Sequence, residues 1–296
     1  MKKHLDFDWN RYLNCPPSQK LFDPMFETVS FHIVKPCNMK CKFCYATFDD
    51  FHVGPQISLL DAQTVIRRLK EAGMQKITFA GGEPMLYKHL DEIIRYSKKI
   101  GLTTSIISNG SLMTPDWLRK MRPYLDWIGV SIDSLDYSTN KAIGRTAKGD
   151  VEYSELLYSI KTLGYKLKIN TVVNSYNWQE DFNELIYLAK PDRWKVFQAL
   201  RIEGQNDHQF DEIKVSAFQF SDFLWRHSKQ TSMVPENNKK MTGSYLLVDP
   251  LGRLFENSSG KHTYSLPVQD SSVAECLKQI NLDRSMFIKR GGLYKW

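Results

Sequence analysis

The chain has 296 residues, 42% hydrophobic and 25% charged, with 40 basic against 33 acidic side chains and a formal charge of +7. These proportions are ordinary for a soluble globular protein, and the length allows one large domain or two medium ones. No run of about eighteen apolar residues offers a membrane span. The N-terminal MKKHLDFDWNRYLN carries Asp6, Asp8 and Arg11 where a signal peptide has its apolar stretch, so a cytoplasmic location without a membrane anchor is expected. The basic residues are dispersed, with no block of five or six. That points away from stable nucleic-acid binding and toward a small polyanion.

From residue 28 to about 200, short apolar runs alternate with amphipathic stretches. TVSFHIV (28–34), KITFAG (76–81), TTSIISNG (103–110), WIGVSID (127–133), LKINTVVN (167–174) and WKVFQAL (194–200) are rich in Val, Ile, Thr and Phe and read as strands. SLLDAQTVIRRLKEAG has Ser58 as N-cap and stops at Gly73; TPDWLRKM puts Thr114 at the cap and Pro115 at the first helical position. DFNELIYLAK ends before Pro191. Strands separated by helices imply a parallel α/β sheet. After residue 200 the rhythm breaks. RIEGQNDHQF reads as a loop, AFQFSDFLWRHSKQ as a helix, and SYLLVDPLGRLFENSSG as a hairpin turning at Asp249–Gly252. The expected division is an N-terminal extension (1–25), a core (26–200) and a C-terminal extension (201–296), with no independent second domain.

Five cysteines is an odd number, and three of them, Cys37, Cys41 and Cys44, fall within eight residues as CxxxCxxC. Clustered thiols without a disulfide framework read as metal ligands, whereas Cys15 and Cys276 read as structural thiols. Zinc would need a fourth ligand, for which a strand residue, His32, is the available side chain. Three thiolates on a 4Fe–4S cubane instead leave one iron open for chemistry.

CxxxCxxC on a loop after the first strand, with Phe43 ahead of the last cysteine, resembles the radical S-adenosylmethionine (SAM) superfamily. The resemblance implies a partial (β/α)6 barrel whose site lies at the C-terminal strand ends. It also implies a 4Fe–4S cluster, with SAM chelating the open iron and yielding a 5′-deoxyadenosyl radical. Gly81, Gly82 and Glu83 follow the second strand; the glycines let backbone approach a ligand, and Glu83 would accept from the SAM amino group. Ser108 and Asn109 end the third strand, and Ser131 and Asp133 the fourth, on a rim suited to methionine and ribose groups. Arg145 is similar to the superfamily arginine that pairs with the SAM carboxylate.

The similarity is closer still to one family. KEAGMQKITFAGGEP, ISNGSL, KINTVVN, RWKVFQ, IEGQN, MVPENNKKM, SYLLVD and FIKRGGLYKW, spread over residues 26–296, resemble the viperins, without the amphipathic N-terminal helix that animal members carry. That resemblance implies loss of water from a ribonucleoside triphosphate. The product is its 3′-deoxy-3′,4′-didehydro form, an antiviral chain terminator, and an electron-donor protein drives the chemistry. A triphosphate needs several cations. Lys76, Lys168, Asn170, Arg193 and Lys195 are the candidates; each i,i+2 pair on its strand shares one face, although alone these strands also read as amphipathic with solvent outside. Arg290, Gly291 and Gly292, beside Lys289, can form an anion-binding nest in an extension that closes over the substrate. Tyr245 falls where the family has a tyrosine near the ribose and is assigned to the final reduction and protonation. Ser30, Thr78, Ala80, Tyr45 and Ala46 differ from animal viperins. They bear on the base, for which a pyrimidine (CTP or UTP) is favoured over GTP. A radical SAM peptide or cofactor maturase is the rival enzyme, and a zinc-stabilised interaction module the non-enzymatic alternative.

Overall fold

The computed structural model describes residues 26–51, 56–147 and 151–294; the expected N-terminal extension and Cys15 lie outside the described residues. The six strands read from the sequence are all present: β1 Thr28–His32, β2 Lys76–Ala80, β3 Thr103–Ser108, β4 Trp127–Ser131, β5 Lys166–Val173 and β6 Arg193–Gln198. They pair in parallel and in chain order. Neighbours in sequence are therefore neighbours in space, the arrangement of an open α/β barrel wall.

The connecting helices begin and end where local chemistry dictates. Ser58 caps Leu59–Glu71 by accepting from the Asp61 N–H, and Thr114 caps Pro115–Met121 by accepting from that of Trp117. The helix Asn183–Ala189 ends at Lys190 in the left-handed region, just before Pro191. Between β1 and β5 the sheet's outer face is covered by apolar helix stripes such as Ala62, Val65, Ile66 and Leu69.

The C-terminal part does not stand apart. Strands β7 Met233–Glu236, β8 Leu247–Val248, β9 Arg253–Glu256 and β10 Thr263–Pro267 join the same sheet. β7 adds a further parallel strand beside β6, and β8 pairs in parallel with β1 at the other edge. The β8–β9 hairpin turns at Asp249–Gly252 as expected, with the Asp249 carboxylate accepting from the N–H groups of Leu251 and Arg253. The stretch read as a loop at 201–210 contains one turn of 3-10 helix, Asp207–Gln209. β7 escaped the sequence reading because MVPE is short, contains proline and shows no alternation.

The cysteine loop is clamped from two sides by backbone. On one side Gly82 N–H donates to Val34 O (2.7 Å) and Glu83 N–H to Pro36 O (2.9 Å). On the other, Lys40 N–H donates to Gly144 O (2.9 Å) and Lys42 N–H to Ile143 O (3.0 Å). Both contacts need glycine. A Cβ on Gly82 would lie 2.2 Å from Pro36 O, and one on Gly144, at φ +78°, 2.0 Å from Lys40 O. The glycines after β2, expected to admit a ligand, line the central cavity and also admit the neighbouring loop. Gly144→Ala should therefore cost about 2 kcal/mol or more, from left-handed strain plus backbone overlap, and lower the iron bound per chain on reconstitution. Gly260→Ala, at φ +79° but with nothing within 4 Å, is the control and should show the strain alone. Urea unfolding of both apoproteins and iron analysis check this.

Candidate active site

The residues expected to hold the cluster, SAM and the nucleotide line one cavity of about 310 Å³ inside the strands, Lys289 excepted. The cavity has two chemically distinct ends. Cys37, Cys41, Cys44, Glu83, Asn109, Asp133 and Arg145 follow the C-terminal ends of β1 to β4, whereas Lys76 and Arg193 are the first residues of β2 and β6. Five residues of β2 separate Lys76 from Ala80 inclusive, which at about 3.3 Å per step is roughly 13 Å. The cavity thus runs through the barrel, beyond the C-terminal face where the site was expected.

At the cysteine end no disulfide forms, and the three thiols are partly exposed. Burial pushes Cys41 up to about 12 and Cys44 up to about 11, and raises Cys37 as well. Such thiols ionise only against a strong positive centre. Among the described residues no three His, Cys, Asp or Glu side chains are placed to hold a single metal ion. Three thiols from one short loop can each bind a different iron of a 4Fe–4S cluster and leave its fourth iron without a protein ligand, so the donor set fits that group. His32 is no fourth ligand. It is buried, bonded at Nε2 to the Tyr45 hydroxyl (3.2 Å), and packed edge-on against Phe48 and Phe255.

The rim residues are mutually engaged. Glu83 accepts from Ser108 Oγ (2.7 Å) and from the N–H groups of Asn109 (2.9 Å) and Met85 (3.1 Å), while burial raises its carboxyl above the usual range. Asn109 Nδ2 donates to Asn38 on the cysteine loop (2.8 Å). Arg145 pairs with Asp133 at 2.9 Å, both nearly fully buried, and donates to Ser131 O at 2.5 Å. Its Nε and Asn170 Oδ1 are buried without a hydrogen-bond partner among the described residues. Orphaned polar atoms of this kind, facing a cavity, are where a bound group's own polar atoms fit.

At the other end, register places the cations side by side. Lys168 stands opposite Arg193, and Asn170 opposite Lys195, confirming that the i,i+2 pairs share the inward face. Lys76 Nζ donates to the Tyr294 hydroxyl (2.6 Å) and sits over the Trp127 ring (4.5 Å); Arg193 stacks on Tyr294 (4.2 Å) and donates to Gly291 O (2.6 Å). Lys195 Nζ donates to the Tyr245 hydroxyl (2.6 Å) and pairs with Glu236, and Arg290 stacks on the Tyr245 ring (3.5 Å). Burial, reinforced by Lys168 and Arg193, drives Lys76 down to about 5.

One reading needs correction. No anion nest forms at Arg290–Gly292, because the N–H groups of Arg290, Gly291 and Gly292 close the helix Arg284–Lys289 by donating to Met286, Ile288 and Phe287 carbonyls. Those glycines serve packing, since a Cβ on Gly292 would lie 2.4 Å from the Phe287 ring. Tyr294, Trp127 and Glu236 were not anticipated. Tyr294 lies in the tail and Trp127 opens β4, where no local pattern marks either, and Glu236 lies on the strand that sequence missed. Cys276 is the buried structural thiol expected, its Sγ 3.3 Å from Leu266 O.

The radical SAM superfamily profile matches residues 33–188, in agreement with the open parallel barrel and the three-thiol loop. Two curated relatives are "S-adenosylmethionine-dependent nucleotide dehydratase" proteins. The one from Lacinutrix mariniflava is 45% identical over 91% of this chain, and the chain spans only 58% of that relative's length. The one from Flammeovirga pacifica is 42% identical over 91% of this chain and 96% of the relative. In fold, the chain resembles the AdoMet-bound structure of anSMEcpe, with a TM-score of 0.63 at 13% identity over 88% of this chain and 82% of that one. The chain belongs to the radical SAM superfamily and, within it, to the viperin-like family of S-adenosylmethionine-dependent nucleotide dehydratases. No described helix is long and apolar enough to cross a membrane.

Lys76 makes the cation end measurable. With its value lowered to about 5, its amine is uncharged in the folded protein between about pH 5 and the ordinary lysine value of 10.5, whereas in the unfolded chain it carries the extra proton. Because the unfolded state binds more protons across that window, stability of the ligand-free protein rises with pH there, by up to about 1.4 kcal/mol per pH unit from this group. Lys76→Met should remove that contribution, seen as a flatter dependence of urea-unfolding free energy on pH between 6 and 9.

Proposed function

We propose that this protein removes water from a ribonucleoside triphosphate, with a pyrimidine nucleotide (CTP or UTP) as substrate, to give the 3′-deoxy-3′,4′-didehydro nucleotide. One observation carries the reading: a group of buried cations, Lys76, Lys168, Arg193, Lys195 and Arg290, shares a single cavity with the three-cysteine loop. Buried cations that repel one another are costly unless an anion meets them. A triphosphate, anchored among them, leaves its ribose up the barrel toward the cysteine end.

Cys37, Cys41 and Cys44 would hold the cluster, and Glu83, Ser108, Asn109, Ser131, Asp133 and Arg145 would line the SAM site. When bound, cluster and SAM supply the electron and the 5′-deoxyadenosyl radical that takes the ribose 4′ hydrogen. The chain's own residues do the rest. The cations orient the triphosphate and neutralise it, the sheet interior excludes water, and Tyr245 stands beside Lys195 at the cavity wall to complete the reduction. Ser30, Tyr45, Ala46, Thr78 and Ala80 all line the cavity, which supports their bearing on the choice of base. An electron-donor protein would serve as the physiological reductant.

Anaerobic protein reconstituted with iron and sulfide, then given dithionite, SAM and each nucleoside triphosphate separately, should release 5′-deoxyadenosine in a burst with CTP or UTP. A product lighter by one water should accompany it. The same result with GTP would keep the reaction and change the base; slow, equal SAM cleavage with every triphosphate would overturn the nucleotide assignment. Arg193→Met, which removes a cation from the triphosphate end, should raise KM about tenfold or more, in keeping with loss of a charge-assisted hydrogen bond. The uncoupled SAM cleavage measured without nucleotide should be unchanged.

A further inference from the structure

Glu236 is out of place electrostatically. It is the last residue of β7, completely buried, and its carboxylate stands directly behind cations that face an anion site. A negative charge there opposes triphosphate binding, so charge balance for the substrate does not explain it. Its contacts do. One oxygen takes the Tyr245 hydroxyl proton in a short hydrogen bond, and the other pairs with Lys195, with Arg290 Nη1 3.9 Å away. The phenol oxygen in turn accepts from Lys195 (2.6 Å), and the ring is held flat by Arg290 at 3.5 Å. The hydroxyl proton of Tyr245 therefore points to Glu236 and not into the cavity. Although burial works against it, Lys195 and Arg290 hold the Glu236 carboxyl below the usual carboxylate range, so it is present as the base.

We propose that Glu236 is a positioning residue that takes the phenolic proton while Tyr245 passes one electron to the nucleotide. This rests on the nucleotide dehydratase reading. A phenol that loses an electron becomes a strong acid, so the electron leaves readily only if a base accepts the O–H proton in the same step. The step balances. The nucleotide radical cation, formed by loss of the 4′ hydrogen atom and the 3′ hydroxide, gains one electron and becomes the neutral didehydro product. The Tyr245 O–H bond breaks, its proton forms a new bond to a Glu236 oxygen, and a neutral tyrosyl radical remains. One electron from the same reductant that serves the cluster, dithionite in the assay, and the proton returned by Glu236 restore the phenol.

Full-length Glu236→Gln and Glu236→Asp separate this from a structural role. In E236Q, nucleotide-dependent 5′-deoxyadenosine formation should persist while dehydrated nucleotide falls behind, raising their ratio at least about fivefold over wild type. E236D, which keeps a base, should restore most of the coupling. Calorimetry on the apoproteins supplies a readout independent of the cofactors. E236Q should bind the triphosphate at least as tightly as wild type, because a repulsive carboxylate is gone. A ratio unchanged in E236Q, or an affinity weakened about tenfold or more, overturns the proposal in favour of a purely structural carboxylate. Wild-type enzyme that dehydrates no triphosphate instead sinks the parent reading, and this one with it.

Discussion

The structure depends on keeping like charges together inside a parallel sheet. Lys76, Lys168, Arg193, Lys195 and Arg290 are each less than a tenth exposed and face one cavity, an arrangement that costs free energy through both desolvation and mutual repulsion. The surrounding architecture mitigates it by three means. Aromatic faces on Trp127, Tyr294 and Tyr245 offer their quadrupoles to the nearest cations. A single buried carboxylate, Glu236, pairs with Lys195. And burial lowers Lys76 to about 5, so that its amine is uncharged among them near neutral pH. Each makes the arrangement tolerable without making the cavity neutral, and the residual imbalance favours a polyanionic ligand.

The same constraint explains why the C-terminal part is woven into the sheet. Four of the cations come from β2, β5 and β6 and the fifth, Arg290, from the end of the helix Arg284–Lys289, while the groups that manage them come from β4, from β7, from the segment before β8, and from the tail after that helix. β7 delivers Glu236, Tyr245 lies just ahead of β8 on the opposite edge, and Tyr294 reaches back to Trp127 at the start of β4. The extension therefore builds the floor of the cavity, where a detached lid would leave the cations facing water. At the other end, geometry and not charge is limiting. The cysteine loop can sit between the strand ends only because Gly82 and Gly144 have no side chains to hold it off. Its neighbours Glu83, Asn109 and Arg145 are locked by hydrogen bonds and an ion pair before any ligand is considered. That order is preorganisation: the polar groups are already paid for by one another, and only a few orphaned atoms are left to be satisfied.

By itself, the sequence determined the local elements and the chemical inventory. β-Branched runs between capped helices specify six parallel strands, because side-chain shape and cap hydrogen bonds act within a few residues. CxxxCxxC specifies a thiolate-bound cluster for a similar reason, its ligands lying within one loop. The i,i+2 cation pairs on β5 and β6 were legible because strand periodicity alone puts them on one face. Only the tertiary structure decided what met across the barrel. It turned the expected nest at Arg290–Gly292 into a helix cap and set the glycines after β2 against a neighbouring loop as well as the cavity. It extended that cavity from the C-terminal rim to the opposite strand ends, and it brought Glu236 to Tyr245 and Tyr294 to Lys76. Those contacts join residues far apart in the chain, through packing and buried electrostatics that no local pattern encodes.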